Sequence, residues 1–454
     1  MAKATTAEPP DPAQPSPPAA ALPPGPPGPT LAATVRFQRD PLGSLLRARQ
    51  EFGPVFTLRT TFAGPLVAVA EAAAVAELLS ADSGRARAGE ARRAILPQAS
   101  TRSVLGGDDQ VHREHRAALA KTFAPEAMAR RHAAIAALAR RHAAAWPRNR
   151  PVQLLSRLRT LVDDVFVRLI LGIEDERRAR ETRRALGAML RTPGNPPLPP
   201  PGPEQGIPGA LGQRLFERRR RRLAAPLKAE IAARRKGREG DDGGARGNGT
   251  SDDAITALLA ADPQPSPAEI VDELVTLMMA GQEPPSIALA WTLDRLARHP
   301  ELAADYLAAG DGAPLREAVW RETLRLRGPS LGALRRLTAP LRAGGYELPA
   351  GTNAMVALPL VHRDPGTFAD PAVFRPARWL PLAEPPPLFM PFGGGERRCL
   401  GERFAGAEAA AVIPAVLEAV RLRPLWPRGE RMVQRGTVVV PHRSVPVWVA
   451  PTSG

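Results

Sequence analysis

A single cysteine, Cys399, stands in this chain of 454 residues, inside the run Phe392-Gly-Gly-Gly-Glu-Arg-Arg-Cys-Leu-Gly401 and just ahead of an apolar helical stretch, Phe404 to Val420. One thiol closes no internal disulfide and completes no multi-thiolate zinc or iron–sulfur site. The chain must therefore fold on hydrophobic burial, in a reducing compartment or around a thiolate with a task. Apolar material is sufficient: 44% hydrophobic and 24% charged residues exclude disorder throughout, a mini-protein and a coiled-coil rod. A thiolate at the start of a helix is stabilised by the helix dipole and by free backbone N–H groups, which suits it to bind a metal as an anionic ligand. The glycines let the loop backbone lie close against something flat. The competing assignment of a lone cysteine is a small buried hydrophobe.

The rest of the chain reads as mainly α. Ala/Leu/Arg stretches with helical periodicity cover 113–146, 152–171, 176–190, 211–235, 253–261, 267–298, 301–308 and 313–326. Val55 to Arg59 and Leu66 to Val69, with Gly64-Pro65 between them, read as a β-hairpin. Arg335 to Trp379 is irregular and partly β, and the tail returns to strand at Val438–Val440 and Val445–Val449. Proline is concentrated locally: eleven lie between Pro9 and Pro29, and eight between Pro193 and Pro208. Residues 1–22 are expected to be a disordered lead, and 191–210 and 236–252 to be mobile segments of a single unit covering 23–454. No basic-then-apolar leader and no apolar run of about 18 residues is present, so a cytoplasmic chain without a membrane span is expected.

The spacing Phe-Gly-Gly-Gly-x-Arg-x-Cys-x-Gly resembles the haem-binding loop of the cytochrome P-450 superfamily, in which a cysteinate is the proximal iron ligand. The resemblance implies that family's fold, a large helical domain with a small β-rich region around a single haem. Further motifs fall where it requires them. Glu322-Thr-Leu-Arg325, with residues three apart on one helix face, and Phe374-Arg-Pro-Ala-Arg378-Trp379 resemble the buried Glu–Arg–Arg triad (Glu322, Arg325, Arg378) that braces the haem loop. His362-Arg-Asp-Pro365 fits the same meander. The family's haem b would be held by Cys399 at the iron, with Phe392 and Gly401 beside it. Its propionates would take Arg397, the His112/Arg116 pair of a His-x-x-x-Arg motif, and Arg335. Taken singly, each of these basic residues also fits a solvated surface.

Helix 267–298 is long enough to cross the domain. Its centre, Ala280-Gly281-Gln282-Glu283-Pro284-Pro285-Ser286, is similar to the family's oxygen-activation motif. Gly281 is expected to leave room for dioxygen and Glu283 to relay protons, while Pro284 replaces the usual threonine. Two interior prolines should kink the helix there. Leu105, Met279, Ala280, Leu331 and the turn near Thr437 are the expected pocket walls by the same resemblance.

The activity implied is a bacterial-type monooxygenase of secondary metabolism that inserts one oxygen atom from O2 into a lipophilic small molecule such as a fatty acid or terpenoid. Electrons would come from a ferredoxin or flavodoxin with its reductase. The missing threonine keeps open a peroxide-using or substrate-assisted enzyme, and a haem-based ligand sensor without turnover is a further alternative. Basic residues outnumber acidic ones 62 to 46, a balance of +16 that favours an acidic partner. Arg397, Arg398 and Arg403 flank the cysteine and would steer it. Five successive arginines, 218–222, read as a solvated helix face. Few aromatics are available for base stacking, so nucleic acid is not expected, and the chain is taken as a monomer.

Overall fold

A computed structural model of the chain describes residues 22–28, 31–60, 64–81, 84–96, 99–190, 207–239 and 252–451. The expected disordered lead lies outside these residues apart from Leu22. Pro23 to Gly28 run along the first strand, where the Thr57 amide donates to the Pro24 carbonyl at 3.0 Å. Helices α1 (Leu31–Arg39) and α2 (Pro41–Phe52) open the chain, the second capped by Asp40, whose carboxylate accepts from the Gly43 amide. Strands β1 (Val55–Thr60) and β2 (Gly64–Val69) pair antiparallel, with Thr60 opposite Gly64. Gly64-Pro65 therefore begins the second strand and is not the turn. Pro65 is tolerated because pairing of β2 on its other side starts only at Leu66, so its missing N–H costs no ladder bond there.

Next come α3 (Ala72–Ser80), β3 (Ala86–Arg87), α4 (Ala88–Ile95) and α5 (Asp109–Leu119). The helical stretch expected over 113–146 is two helices, because Pro125 can start a helix but not sit inside one. After a 3-10 turn, α6 (Pro125–Ala144) begins at that proline. Beyond β4 (Arg150–Gln153), α7 (Leu154–Val165) runs into a π-helical turn, Phe166–Ile170. Helix α8 (Glu176–Leu190) precedes α9 (Ile207–Glu239). Residues 207–210 and 236–239, assigned above to mobile segments, are thus helical, since Pro208 falls in the first turn where no intrahelical N–H is needed. The remainders, 191–206 and 240–251, lie outside the described residues.

Helices α10 (Ala254–Leu259), α11 (Pro267–Arg298), α12 (Pro300–Ala308) and α13 (Pro314–Arg327) follow. α11 is set by a full capping box, in which Ser266 and Glu269 each bond the other's backbone. It continues through Pro284 and Pro285, both of which lie inside its span. Just beyond them the Ser286 hydroxyl donates to the Gln282 carbonyl at 2.7 Å. Strands β5 (Gly332–Leu337), β6 (Leu341–Ala343), β7 (Tyr346–Leu348) and β8 (Asn353–Ala357) lead to the short α14 (Leu358–Val361). Helix α15 (Glu402–Ala419) and strands β9 (Arg421–Pro424), β10 (Met432–Arg435), β11 (Val438–Pro441) and β12 (Pro446–Ala450) complete the chain.

One sheet has the order β1-β2-β8-β5-β3 and another β4-β12-β9; β6-β7 and β10-β11 are hairpins. The helical core is centred on α11, which packs against α7, α9, α13 and α15, while α15 lies along α6. Trp291, Leu293 and Leu289 of α11 have no exposed surface. Among the described residues no helix is long and apolar enough to cross a membrane.

Candidate active site

The cysteine loop is closed by its own backbone. Cys399 N donates to the Phe392 carbonyl at 2.9 Å, and the Gly393 amide to the Met390 carbonyl at 2.9 Å. Gly393 and Gly395 take φ of +71° and +67°, a left-handed conformation that side chains resist. Gly394 is constrained differently, since a Cβ there would meet Leu79 Cδ1 at 2.8 Å. Cys399 lies at the entrance to α15, for which Gly401 is the N-cap. The thiol has an exposed face. The protein mass around it nevertheless pushes its pKa above the ordinary value, opposed by a hydrogen bond from the Gly401 backbone and by Arg92 and Arg116.

Cations gather round this thiol. His112 is buried on α5, with Nδ1 2.8 Å from the Val104 carbonyl and Nε2 3.3 Å from the Glu396 carbonyl in the cysteine loop. Its pKa is lowered by burial and then by Arg397, with Arg116 adding to the effect. Arg335 on β5 is buried and reaches the Gly394 carbonyl at 3.3 Å. Arg397 turns inward and donates to Asp108 Oδ1 at 2.6 Å. It is therefore not a surface residue of the proximal face; of the three arginines expected to steer a partner, Arg398 and Arg403 are exposed, and Arg398 is tied to Glu402 at 2.5 Å. Arg116 is half-buried and has no acceptor among the described residues. One member was not foreseen: Arg92 of α4, whose pKa is lowered to about 10 by burial, Arg335 and Arg397. Four guanidiniums and an imidazole thus share one region with Cys399, against the Asp108 carboxylate. That donor set fits a ligand bearing two carboxylates and a metal seeking a thiolate.

Behind the loop, Glu322 and Arg325 have no more than 1% exposure. Arg325 forms a two-point pair, Nε to Oε2 at 2.9 Å and Nη2 to Oε1 at 2.8 Å. The same carboxylate accepts from Arg378 Nε at 3.1 Å, the Arg375 amide at 2.8 Å and Trp379 Nε1 at 3.0 Å. Burial would raise the pKa of Glu322, but these donors, Arg325 foremost, hold it below the usual carboxylate range. Arg325 Nη1 also reaches the His362 carbonyl at 2.8 Å, and the His362 ring accepts from the Met390 amide at 3.1 Å. The cluster is thereby connected to the start of the cysteine loop.

The centre of α11 is open where its flanks are closed. Residues 274–278 and 285–294 are buried, whereas Ala280 is exposed and Met279, Gly281, Glu283 and Pro284 are partly so. A Cβ on Gly281 would sit 2.2 Å from Phe166 Cε2, so its missing side chain admits the Phe166 ring. Phe166 in turn stacks edge-on against Phe404 of α15, with centroids 5.9 Å apart. Glu283 is held at both oxygens by Arg159 of α7, with Arg159 Nε to Oε2 at 2.9 Å. No spacing in the sequence announced that partner, which lies 124 positions away. Of the expected pocket walls, Leu105 is half-buried, Leu331 is buried and Thr437 is exposed at the β10–β11 turn. A surface concavity of about 400 Å³ beside β4 and α7, lined by Arg150, Gln153 and Thr160 among others, shares no residue with this site.

Comparison with known proteins gives concordant results. The family described as Cytochrome P450 matches residues 23–309 and 310–446. Cytochrome P450 135B1 of Mycobacterium tuberculosis is 33% identical over 432 residues, covering 91% of this chain and 88% of its own length. Cytochrome P450 137 of the same species is 28% identical over 90% of this chain and 85% of its own. Among solved structures, the retinoic acid bound cyanobacterial CYP120A1 superposes with a TM-score of 0.77 at 22% identity, covering 96% of this chain and all of that one. CYP175A1 from Thermus thermophilus gives 0.70 at 23% identity, covering 92% of this chain and 97% of that one. At these identities the structural matches speak for the fold.

Proposed function

The chain belongs to the cytochrome P450 family and is a haem-binding, haem-thiolate monooxygenase, and from that premise we propose that it hydroxylates or epoxidises a lipophilic small molecule, a fatty acid, terpenoid or other secondary metabolite, at a site built on Cys399. The observation that carries this assignment of residues is the exposed thiol at the α15 entrance within a cluster of buried and half-buried basic residues. Cys399 would hold the iron of haem b. Arg397, Arg335, His112, Arg116 and Arg92 would hold its carboxylates, with Phe392 and Gly401 beside the sulfur. When bound, the haem supplies reductive activation of dioxygen.

The chain's own residues do the rest. The Gly401 amide and the α15 dipole favour sulfur as thiolate. Glu322, Arg325 and Arg378 keep the loop in register with the meander. Met279, Ala280, Leu105, Leu331 and the Thr437 turn offer a largely apolar surface that orients a substrate and excludes water. Glu283, fixed by Arg159, holds an acid at the centre of α11. Pro284 presents no hydroxyl, so protons travel by water or by a polar group of the substrate. Arg403, with other exposed cations, receives an acidic ferredoxin or flavodoxin that is served by its own reductase.

Pro284 also supports a second reading, in which hydrogen peroxide replaces dioxygen and electrons. Parallel turnover of a lipophilic library with a ferredoxin system and with peroxide tests both. Product only with the electron donor supports the monooxygenase, product only with peroxide supports the alternative, and spectral binding without product from either defeats both.

A further inference from the structure

Glu273 is a carboxylate with no part in the arrangement described so far. It sits on α11 about two turns before Ala280 and has no exposed surface. Its Oε2 accepts from the Val104 amide at 2.8 Å and lies 2.7 Å from His115 Nδ1 on α5. Its Oε1 is buried with no hydrogen-bond partner among the described residues. A carboxylate is expensive to bury unless it is paired and hydrogen-bonded. Half of this one is not.

What the fold gains from it is visible one bond further on. Val104 gives its N–H to Glu273 and its C=O to His112 Nδ1, at 2.8 Å in each case. The two peptide groups that meet at the Val104 Cα therefore link the central helix to the imidazole of the cation cluster. Segment 99–107 forms only turns and bends, so no ladder of its own fixes the backbone at Val104. Its internal ties lie around Ser103, which accepts from the Gly107 amide at its carbonyl and the Gly106 amide at its hydroxyl. Arg102 reaches Glu269 only through an exposed side chain.

We propose that Glu273 is a positioning residue. By clasping the Val104 amide and His115 it fixes the backbone at Val104, and with it the Val104 carbonyl that sets the aim of His112. With Nδ1–H committed to the Val104 carbonyl, the ring turns Nε2 toward the cysteine loop and its cations. The role in haem retention rests on the function proposed above; the clasp itself does not.

The test uses the full-length protein loaded with haem. Glu273→Leu keeps the volume but neither acceptor, whereas Glu273→Gln keeps an acceptor for Val104 and can still bond to His115. Two rates are read: site-resolved amide exchange at Val104, and haem transfer to a scavenging apomyoglobin. In wild type, Val104 should exchange as slowly as the amides of α11 despite lying in an irregular segment. Leucine should speed both rates about tenfold, the scale of one buried hydrogen bond to a charged group, and glutamine should stay within about twofold of wild type. Free exchange of Val104 in wild type, a leucine variant indistinguishable from wild type, or a glutamine variant as fast as leucine would each overturn the proposal. If the leucine variant fails to fold, wild-type exchange and the glutamine variant decide. Slow Val104 exchange that leucine releases, in a chain that takes up no haem, would leave the clasp standing and defeat the functional reading instead.

Discussion

Replacing Glu322 by alanine should cost more than any other single substitution behind the cysteine loop. The side chain is completely buried and accepts five hydrogen bonds, from Arg325 (two), Arg378, the Arg375 amide and Trp379. Its removal leaves the guanidinium of Arg325, 1% exposed, without a counter-charge. Breaking such a pair from one side costs about 3–5 kcal/mol. At about 2.1 cal/mol/K per residue, a chain of 454 residues unfolds with an entropy of roughly 0.95 kcal/mol/K, so Tm should fall by about 3–5 °C. Glu317→Ala is the control. Glu317 pairs with Arg321 while half exposed, and the loss of such a pair should move Tm by no more than about 1 °C. The assay is thermal unfolding with haem content read in parallel, and Glu322→Ala should also bind less haem because the brace reaches Met390 through His362. A Glu322→Ala protein that melts with wild type and carries full haem would refute the assignment of the cluster as a brace.

Four further outcomes are expected. Gly281→Ala should destabilise by about 1–3 kcal/mol through overpacking against Phe166, and Phe166→Leu should recover part of the loss in a double-mutant cycle. The pKa of His362 is pushed down to about 3 by burial and by Arg363 and Arg325, so the folded state holds it neutral while the unfolded chain protonates it near 6.5. Its contribution to stability is therefore complete above about pH 6.5 and falls by about 1.4 kcal/mol per unit toward pH 3, a slope that His362→Gln should remove from denaturation measured against pH. Pro284→Thr should raise the fraction of reducing equivalents recovered as product toward one, since a positioned acid speeds its proton-transfer step by roughly 10²–10⁴-fold; unchanged or lower coupling would show that another proton route operates. Arg403→Glu should slow reduction by an acidic ferredoxin and flatten its dependence on ionic strength, since exposed charges act over about 10 Å at 0.1 M salt; an unaltered salt profile would place docking elsewhere.

How much of this was legible in the sequence depended on whether each signal is local. The α11 boundaries follow from Ser266-Pro267 and the capping Glu269, and Glu322 and Arg325 are one helical turn apart, so both could be read from spacing. The cysteine loop carries its glycines in order, and two of them do take left-handed φ. Gly64-Pro65 misled because the two residues are common in turns, yet here a parallel neighbour strand begins only after them. Arg92 could not be singled out in a chain this rich in arginine; only the fold brings α4 beside the cysteine loop. Arg159–Glu283 and Val104–Glu273 join residues separated by 124 and 169 positions and have no pattern in either segment. Gly281 could be read by motif alone, whereas its packing against the ring of Phe166, on a π-helical turn that periodicity cannot reveal, is visible only in the fold.

The most direct test of the central claim is the ferrous–CO absorption spectrum of the purified protein beside that of Cys399→Ala. Thiolate ligation predicts a far-red-shifted Soret band in wild type, and its complete loss in the variant even where haem is retained. A Cys399→Ala protein that kept the shifted band, or a wild-type protein that bound haem without showing it, would contradict the assignment of Cys399 as the iron ligand.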